Sequence, residues 1–194
     1  MPDFPLLTHL DGLLREYAPR SEPEQSDHAQ MRSLLCDEST DWGSRATFAP
    51  GHFTASAFLL SPERDALFLI HHRKLDRWLQ PGGHLEPGDV DVLEAARREI
   101  LEEVGLPDAP LHPLVRGLFD VDIHHIPARS DEPEHQHLDV RFLFLVPSRE
   151  LVAATSEVKA GRWVPLTECA STAGDESVMR AAQKVISLEG SGAL

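Results

Sequence analysis

A chain of 194 residues with 41% hydrophobic and 26% charged side chains can bury one sizeable core, and it lacks the length for a second full domain of ordinary size. No apolar run approaches the roughly 18 residues that cross a bilayer, which excludes a membrane span. A formal charge of −14 with no Lys/Arg cluster excludes electrostatic capture of nucleic acid, so an acidic chain of this kind that handles phosphates needs metal cations as intermediaries. The start, MPDFPLLTHLDGLLREY, has neither the basic stretch nor the small-residue cleavage site of a secretory leader. Cys36 and Cys169 are too few and too far apart for a disulfide framework, and a reducing cytoplasm is the expected location.

In chain order, Leu6, Leu10, Leu13 and Leu14 recur at helical spacing and predict a helix over residues 5–17; residues 25–35 predict a second. Between them PRSEPEQSD reads as a polar, proline-bearing loop. These segments form a helical extension over residues 1–45 ahead of a main domain over residues 46–190, and the extension offers a contact for a homodimer. From Phe48 the pattern becomes short apolar runs between turn residues: FTASAFLLS, ALFLIHH and WLQPGG read as strands. Two further strands, LVRGLFDVDIHHI and HLDVRFLFLVP, flank the polar loop PARSDEPE, a connection suited to antiparallel neighbours. A last strand around RWVPL leads to a helix from about Asp175 to Ser187, with Val178, Ala181, Ala182, Val185 and Ile186 on one face. Strands, helix, strands, helix is the order of an α/β fold with a mixed sheet and helices packed against it.

The segment PGGHLEPGDVDVLEAARREILEEVGL, Pro81 to Leu106, carries the chemistry. Asp91 followed by Val92, Leu93 and Glu94 is a variant capping box, and Gly105 stands where a left-handed residue ends a helix, which predicts a helix over Val92–Val104. Val92, Ala96, Ile100 and Val104 recur every four residues and face the core, leaving Glu99, Glu102 and Glu103 on a neighbouring stripe. Like charges at this spacing cost a helix only about 0.2–0.5 kcal/mol per pair, so a solvated acidic face explains them as readily as a ligand set does. Three convergent carboxylates are also what Mg²⁺ or Mn²⁺ requires. The preceding loop, with Gly82, Gly83 and Gly88 beside Pro81 and Pro87, permits a close-approaching backbone at the start of that helix.

Here the chain resembles the Nudix hydrolases, whose signature is a glycine, five residues, a glutamate, seven residues, and then Arg-Glu-apolar-x-Glu-Glu-x-Gly-apolar. Arg98, Glu99, Ile100, Glu102, Glu103, Gly105 and Leu106 match its second half position by position. The first half departs from it. Counting from Gly83 the first glutamate position holds Asp89, with eight residues before Arg98; counting back from Arg98 lands on Val90. The extra residue is expected to bulge the loop, with Asp89 a shorter substitute.

The resemblance implies a Nudix-type α/β/α sandwich and metal-assisted attack of water on the diphosphate of a nucleoside diphosphate derivative, a small-molecule partner. It makes Arg98, Glu99, Glu102 and Glu103 the catalytic set, with Mg²⁺ or Mn²⁺ held by the three glutamates and the carbonyl of Gly82, and Arg98 orienting a glutamate. Two alternatives remain open: a module that binds a nucleotide or ADP-ribose without cleaving it, and an isomerase of the isopentenyl diphosphate type, which normally uses a site cysteine.

Histidines are the second unusual feature. Alternation puts His135, His137, Asp139 and Arg141 on one face of their strand, and Asp120, Asp122 and His124 on one face of the preceding one. These faces line a polar pocket or lie in solvent; no His/Cys spacing of a structural zinc site is present. Candidate substrate contacts are His84 in the glycine loop, His137, Asp139 and Arg73, the last with Lys74 and Arg77 as phosphate-holding cations or ordinary turn residues. Trp78 and Trp163 read as packing residues.

Overall fold

The computed structural model describes residues 5–73, 76–130, 132–151, 158–172 and 175–191; Lys74 falls outside them. Their helices and strands run in the order α1 (Pro5–Glu16), α2 (Glu22–Leu34), β1 (Gly51–Leu60), β2 (Ala66–His72), β3 (Arg77–Leu79), β4 (Gly82–His84), α3 (Val92–Val104), β5 (Asp120–Ile126), β6 (His135–Leu145), β7 (Val158–Pro165), α4 (Cys169–Thr172) and α5 (Glu176–Ser191). The sheet order is β3-β2-β1-β6-β5, with β4 also on β1 and β7 also on β2. This is the α/β fold, a mixed sheet with helices, that the order of elements predicts. Among the described residues no helix is long and apolar enough to cross a membrane.

Strand β1 organises the sheet because all ten of its residues are buried. Its middle pairs with β4, Thr54 opposite His84 and Ser56 opposite Gly82, and its end pairs with β2 at Leu59 and Leu60. WLQPGG is therefore two short strands rather than one. Pro81 cannot donate to a ladder, and it stands between a piece that pairs with β2 and a piece that pairs with β1.

The chain divides into two compact units. One comprises Met1–Ser56, Gly82–Ala96 and Gly117–Phe142. In it α1 buries Leu10 and Leu14, and α2 buries Met31. Helix α2 starts at Glu22, inside the stretch expected to be loop. Ser21 is its N-cap, Pro23 sits in the first turn where a missing N–H costs nothing, and Glu24 is the third residue of a capping box. Glu24 is buried yet well served: it accepts from the Tyr17 hydroxyl, from the Arg20 N–H at 3.0 Å and from the Ser21 hydroxyl at 3.1 Å. Asp27 of α2 accepts the Ile123 N–H at 3.0 Å, and Gln30 donates to Gln136 at 2.8 Å, so α2 is tied to β5 and β6. Those strands pair in antiparallel register, with Asp120 opposite Arg141, Asp122 opposite Asp139 and His124 opposite His137. The strand expected from Leu114 begins only at Asp120, because Gly117 at φ 90° breaks the extended run.

The other unit comprises Ala57–Pro81, Arg97–Arg116 and Leu143–Leu194. Its core is β2, with Leu67, Phe68, Leu69 and Ile70 buried between pairings to β3 and β7. Gly161 of β7 is required by contact: a Cβ there would lie 2.4 Å from the Phe68 ring. Helix α5 buries Val178, Ala181, Ala182 and Val185, but Ile186, expected on the same face, is 47% exposed. The buried four are spaced 0, 3, 4 and 7 and already fill a helical face; Ile186, one residue on, falls past its edge. Glu189 receives Arg64 at 3.0 Å and stands 2.6 Å from the buried His112 ring.

Candidate active site

The acidic helix α3 runs over the residues its spacing predicts. Asp91 caps it, its Oδ1 accepting from the N–H groups of Leu93 and Glu94 at 2.9 Å each, and Gly105 closes it at φ 70°. Val92, Ala96, Ile100 and Val104 are buried, which turns the glutamate stripe aside from the apolar core. Glu99 and Glu103, one turn apart, retain only 9% and 7% exposure, whereas the Glu102 side chain is 52% exposed. Arg98 Nη1 donates to Glu99 Oε1 at 2.8 Å and reaches Glu102 Oε1 at 3.4 Å. Its neighbour Arg97 turns elsewhere, donating to the Ala109 carbonyl at 2.8 Å and lying 5.4 Å over the Phe144 ring.

In the loop ahead of α3, the Asp89 carboxylate accepts the Glu86 N–H at 2.7 Å while the Asp89 N–H bonds back to the Glu86 carbonyl at 3.0 Å. The additional residue is thus absorbed in a tight turn, and Val90, the alternative alignment, is 78% exposed. Gly82 has its own structural demand: a Cβ there would stand 2.3 Å from Ser56 Oγ and 2.8 Å from its Cα. Arg73 is exposed in the turn after β2. Trp78 stacks on His71 with centroids 4.9 Å apart, and the Arg162 guanidinium lies 4.1 Å over its ring.

Strands β1, β5 and β6 present a second concentration of polar groups. Far from lying in solvent, Asp120, Asp139 and Arg141 are all buried. Arg141 donates to Asp139 at 2.6 Å, to Asp122 at 3.0 Å and to Asp120 at 3.3 Å. Burial opposes its charge, but the carboxylates of Asp122, Asp139 and Asp120 outweigh that and raise its pKa. Asp139 also accepts from the hydroxyls of Thr54 at 3.0 Å and Ser56 at 2.8 Å, so its carboxylate is committed to fixing β6 against β1.

Beside this network lie five imidazoles. His52 stands 5.0 Å from both His135 and His137 between ring centroids, His84 is 5.1 Å from His52 and from His137, and His124 is 5.4 Å from His137. Burial, then the neighbouring rings, lowers the pKa of His84 to about 4 and of His137 to about 2. Burial lowers that of His52 as well. Lowered in this way, the rings of His52, His84 and His137 are neutral at physiological pH. Nothing in the sequence singles out His52: a lone histidine inside GHFTASAF gives no sign that it meets residues more than eighty positions away.

Residues 50–182 match the family model of the NUDIX domain. A curated relative named probable DHNTP pyrophosphohydrolase, from Lactococcus lactis subsp. cremoris (strain MG1363), is 33% identical over 116 residues, covering 58% of this chain and 66% of the relative. The match thus spans just under two thirds of that relative's length. Among solved structures, a C. elegans Ap4A hydrolase in a binary complex has a TM-score of 0.58 at 17% identity, covering 72% of this chain and 98% of that one. The E. coli dihydroneopterin triphosphate pyrophosphohydrolase gives 0.54 at 18% identity, with 70% and 95% covered. At those identities the likeness establishes the fold. With the domain model matched over most of the chain and the signature intact along α3, this protein belongs to the Nudix family.

Proposed function

We propose that the protein is a metal-dependent Nudix pyrophosphohydrolase that cleaves a phosphoanhydride linkage in a nucleoside diphosphate derivative. The observation that carries this reading is the pair of nearly buried carboxylates, Glu99 and Glu103, one helical turn apart, with Arg98 holding Glu99 at 2.8 Å. A surface chosen for solubility has no reason to bury two acidic groups on one helix, since burying a charge is costly unless it is matched. The donor set is all oxygen and all carboxylate, which fits hard Mg²⁺ or Mn²⁺. Glu99, Glu102 and Glu103 would hold the ion, with the Gly82 carbonyl a further candidate. Such an ion, when bound, neutralises phosphate oxygens and lowers the pKa of water.

The remaining roles belong to the chain. Arg98 fixes the Glu99 carboxylate through a charge-assisted hydrogen bond and reaches Glu102 more loosely. Glu102, the most exposed of the three, accepts the proton that water loses as it attacks phosphorus. The catalytic domain spans residues 46–190, with the helical extension of residues 1–45 available as a dimer contact. His84, Arg73, His137 and Asp139 are the substrate-side candidates; Asp139 acts there through the residues it positions. A cytoplasmic location accords with the exposed thiol of Cys36.

The test is a panel of phosphoanhydrides, including ADP-ribose, a dinucleoside polyphosphate and a pterin triphosphate, incubated with Mg²⁺ or Mn²⁺ and scored by phosphate released after phosphatase treatment. Product is expected with at least one compound, and Glu102→Gln should lower that turnover at least about tenfold, roughly 1.4 kcal/mol of barrier. Binding without product under both metals would turn the reading toward a sensing module. Near-normal turnover in Glu102→Gln would remove the proton-accepting role.

A further inference from the structure

We propose that His52, His135 and His137 form a second metal site, separate in chemistry from the acidic helix, for a borderline divalent transition ion such as Zn²⁺. One ring nitrogen from each lies within 4.8 Å of the other two. Two of the rings are already oriented as metal ligands are. His52 Nδ1 stands 3.0 Å from the Thr47 carbonyl and His135 Nδ1 stands 2.8 Å from the Pro133 carbonyl. A carbonyl oxygen only accepts, so each Nδ1 carries the proton and each Nε2 presents a lone pair. Backbone carbonyls in this outer position hold ligating imidazoles in the correct tautomer and orientation.

An independent observation points to an occupant. His52 is 1% exposed, and its Nε2 is buried with no hydrogen-bond partner among the described residues. A buried acceptor without a donor is a costly feature unless something supplies the missing interaction. None of the imidazoles that face His52 donates to that nitrogen, and the His135 N–H is already spent on the Pro133 carbonyl. A cation that accepts lone pairs satisfies all three at once. Imidazole nitrogen selects Zn²⁺, Co²⁺ or Ni²⁺ over Mg²⁺, whereas the all-carboxylate helix has the reverse preference. Three protein ligands leave a fourth position for water or an exogenous anion. The site joins the start of β1 to the start of β6, where Gly51 already approaches Gln136 so closely that a Cβ would lie 1.8 Å from its carbonyl oxygen.

The test uses the full-length chain without an affinity tag, stripped by chelation and titrated with Co²⁺ alone, with visible absorption as the readout. To silence the acidic helix, the titration is repeated in Glu99→Gln/Glu103→Gln. One equivalent of Co²⁺ should develop a ligand-field band of a nitrogen-rich, low-coordinate site in both proteins, and Zn²⁺ should displace it. His137→Gln should weaken Co²⁺ binding at least about tenfold, and His52→Asn likewise, with circular dichroism reporting whether each variant is folded. Cobalt-edge X-ray absorption on the unsubstituted chain provides a readout that does not depend on any variant folding: imidazole scattering is expected. No band, an all-oxygen shell, or a band that vanishes in Glu99→Gln/Glu103→Gln but persists in a folded His137→Gln would overturn the proposal.

Discussion

The acidic helix and the polar face of β1, β5 and β6 both bring charged and ligating groups together, but they do so in opposite ways. Helix α3 takes its carboxylates from five consecutive residues, and helical geometry alone places them on one stripe. The polar face draws His52, Thr54 and Ser56 from β1, Asp120 and Asp122 from β5, and His135, His137, Asp139 and Arg141 from β6. Only strand register brings those together. The helix leaves Glu102 half exposed beside the nearly buried Glu99 and Glu103, while the sheet encloses Asp120, Asp139 and Arg141 and must satisfy them internally. The helix can therefore lose an exposed functional side chain such as Glu102 at little cost to folding, and the buried face cannot.

The largest test of that contrast is Arg141→Met. Its guanidinium is 2% exposed and serves three carboxylates. Removing one partner of a buried ionic network typically costs about 3–5 kcal/mol, because the charges left behind are uncompensated. Urea unfolding should show a loss of that size, against less than about 1 kcal/mol for Glu102→Gln, which changes an exposed group. Equal losses in the two variants would erase the distinction.

Acid provides a second, smaller test. With folded pKa values near 4 for His84 and near 2 for His137, against about 6.5 for an unfolded histidine, the unfolded chain binds more protons than the folded one between those limits. The stabilisation is complete above about pH 6.5 and is lost as the pH falls toward the folded values. Besides each other, the groups that act electrostatically on these rings are His52, His124, His135, Arg45 and Glu132. In chelated protein the unfolding free energy should drop between about pH 7 and pH 5, and His84→Asn should flatten that drop. An unchanged slope would mean that the buried imidazoles are not what the acid protonates.

The same contrast explains what could be read from the amino acids. Helix α3, its cap, its terminal glycine and its core positions were legible because each signal is local: a four-residue recurrence, an Asp before an apolar run, a Gly after it. Strands β1 and β2 were legible as continuous apolar runs. The sequence misleads where one local signal masks another. Pro23 suggests a loop although Ser21 and Glu24 around it spell a capping box, and Leu114 to Leu118 suggest a strand although Gly117 adopts a positive φ. The alternation on β5 and β6 placed Asp120, Asp122 and Arg141 on shared faces, but whether those faces met solvent was not local information. The part played by His52 was invisible for the same reason, since it depends on the pairing of β1 in the sheet rather than on any spacing.

The smallest test asks whether the helix is as modular as this comparison makes it. Asp91 accepts two N–H groups at 2.9 Å and sets a negative charge at the positive end of the α3 dipole. Asp91→Ala should therefore cost about 1 kcal/mol of stability, and Asp91→Asn only a few tenths, since asparagine caps nearly as well. Fraying after the loss of a cap is confined to the first turn, and Glu99 lies two turns along the helix, beyond the buried Ala95 and Ala96. Turnover at saturating Mn²⁺ should consequently change less than about twofold even as the urea midpoint falls. If turnover in Asp91→Ala collapsed alongside that of Glu102→Gln, the cap would be positioning the carboxylates as well as starting the helix. The two ends of α3 would then form one device, and the helix would be no more tolerant of a lost side chain than the sheet.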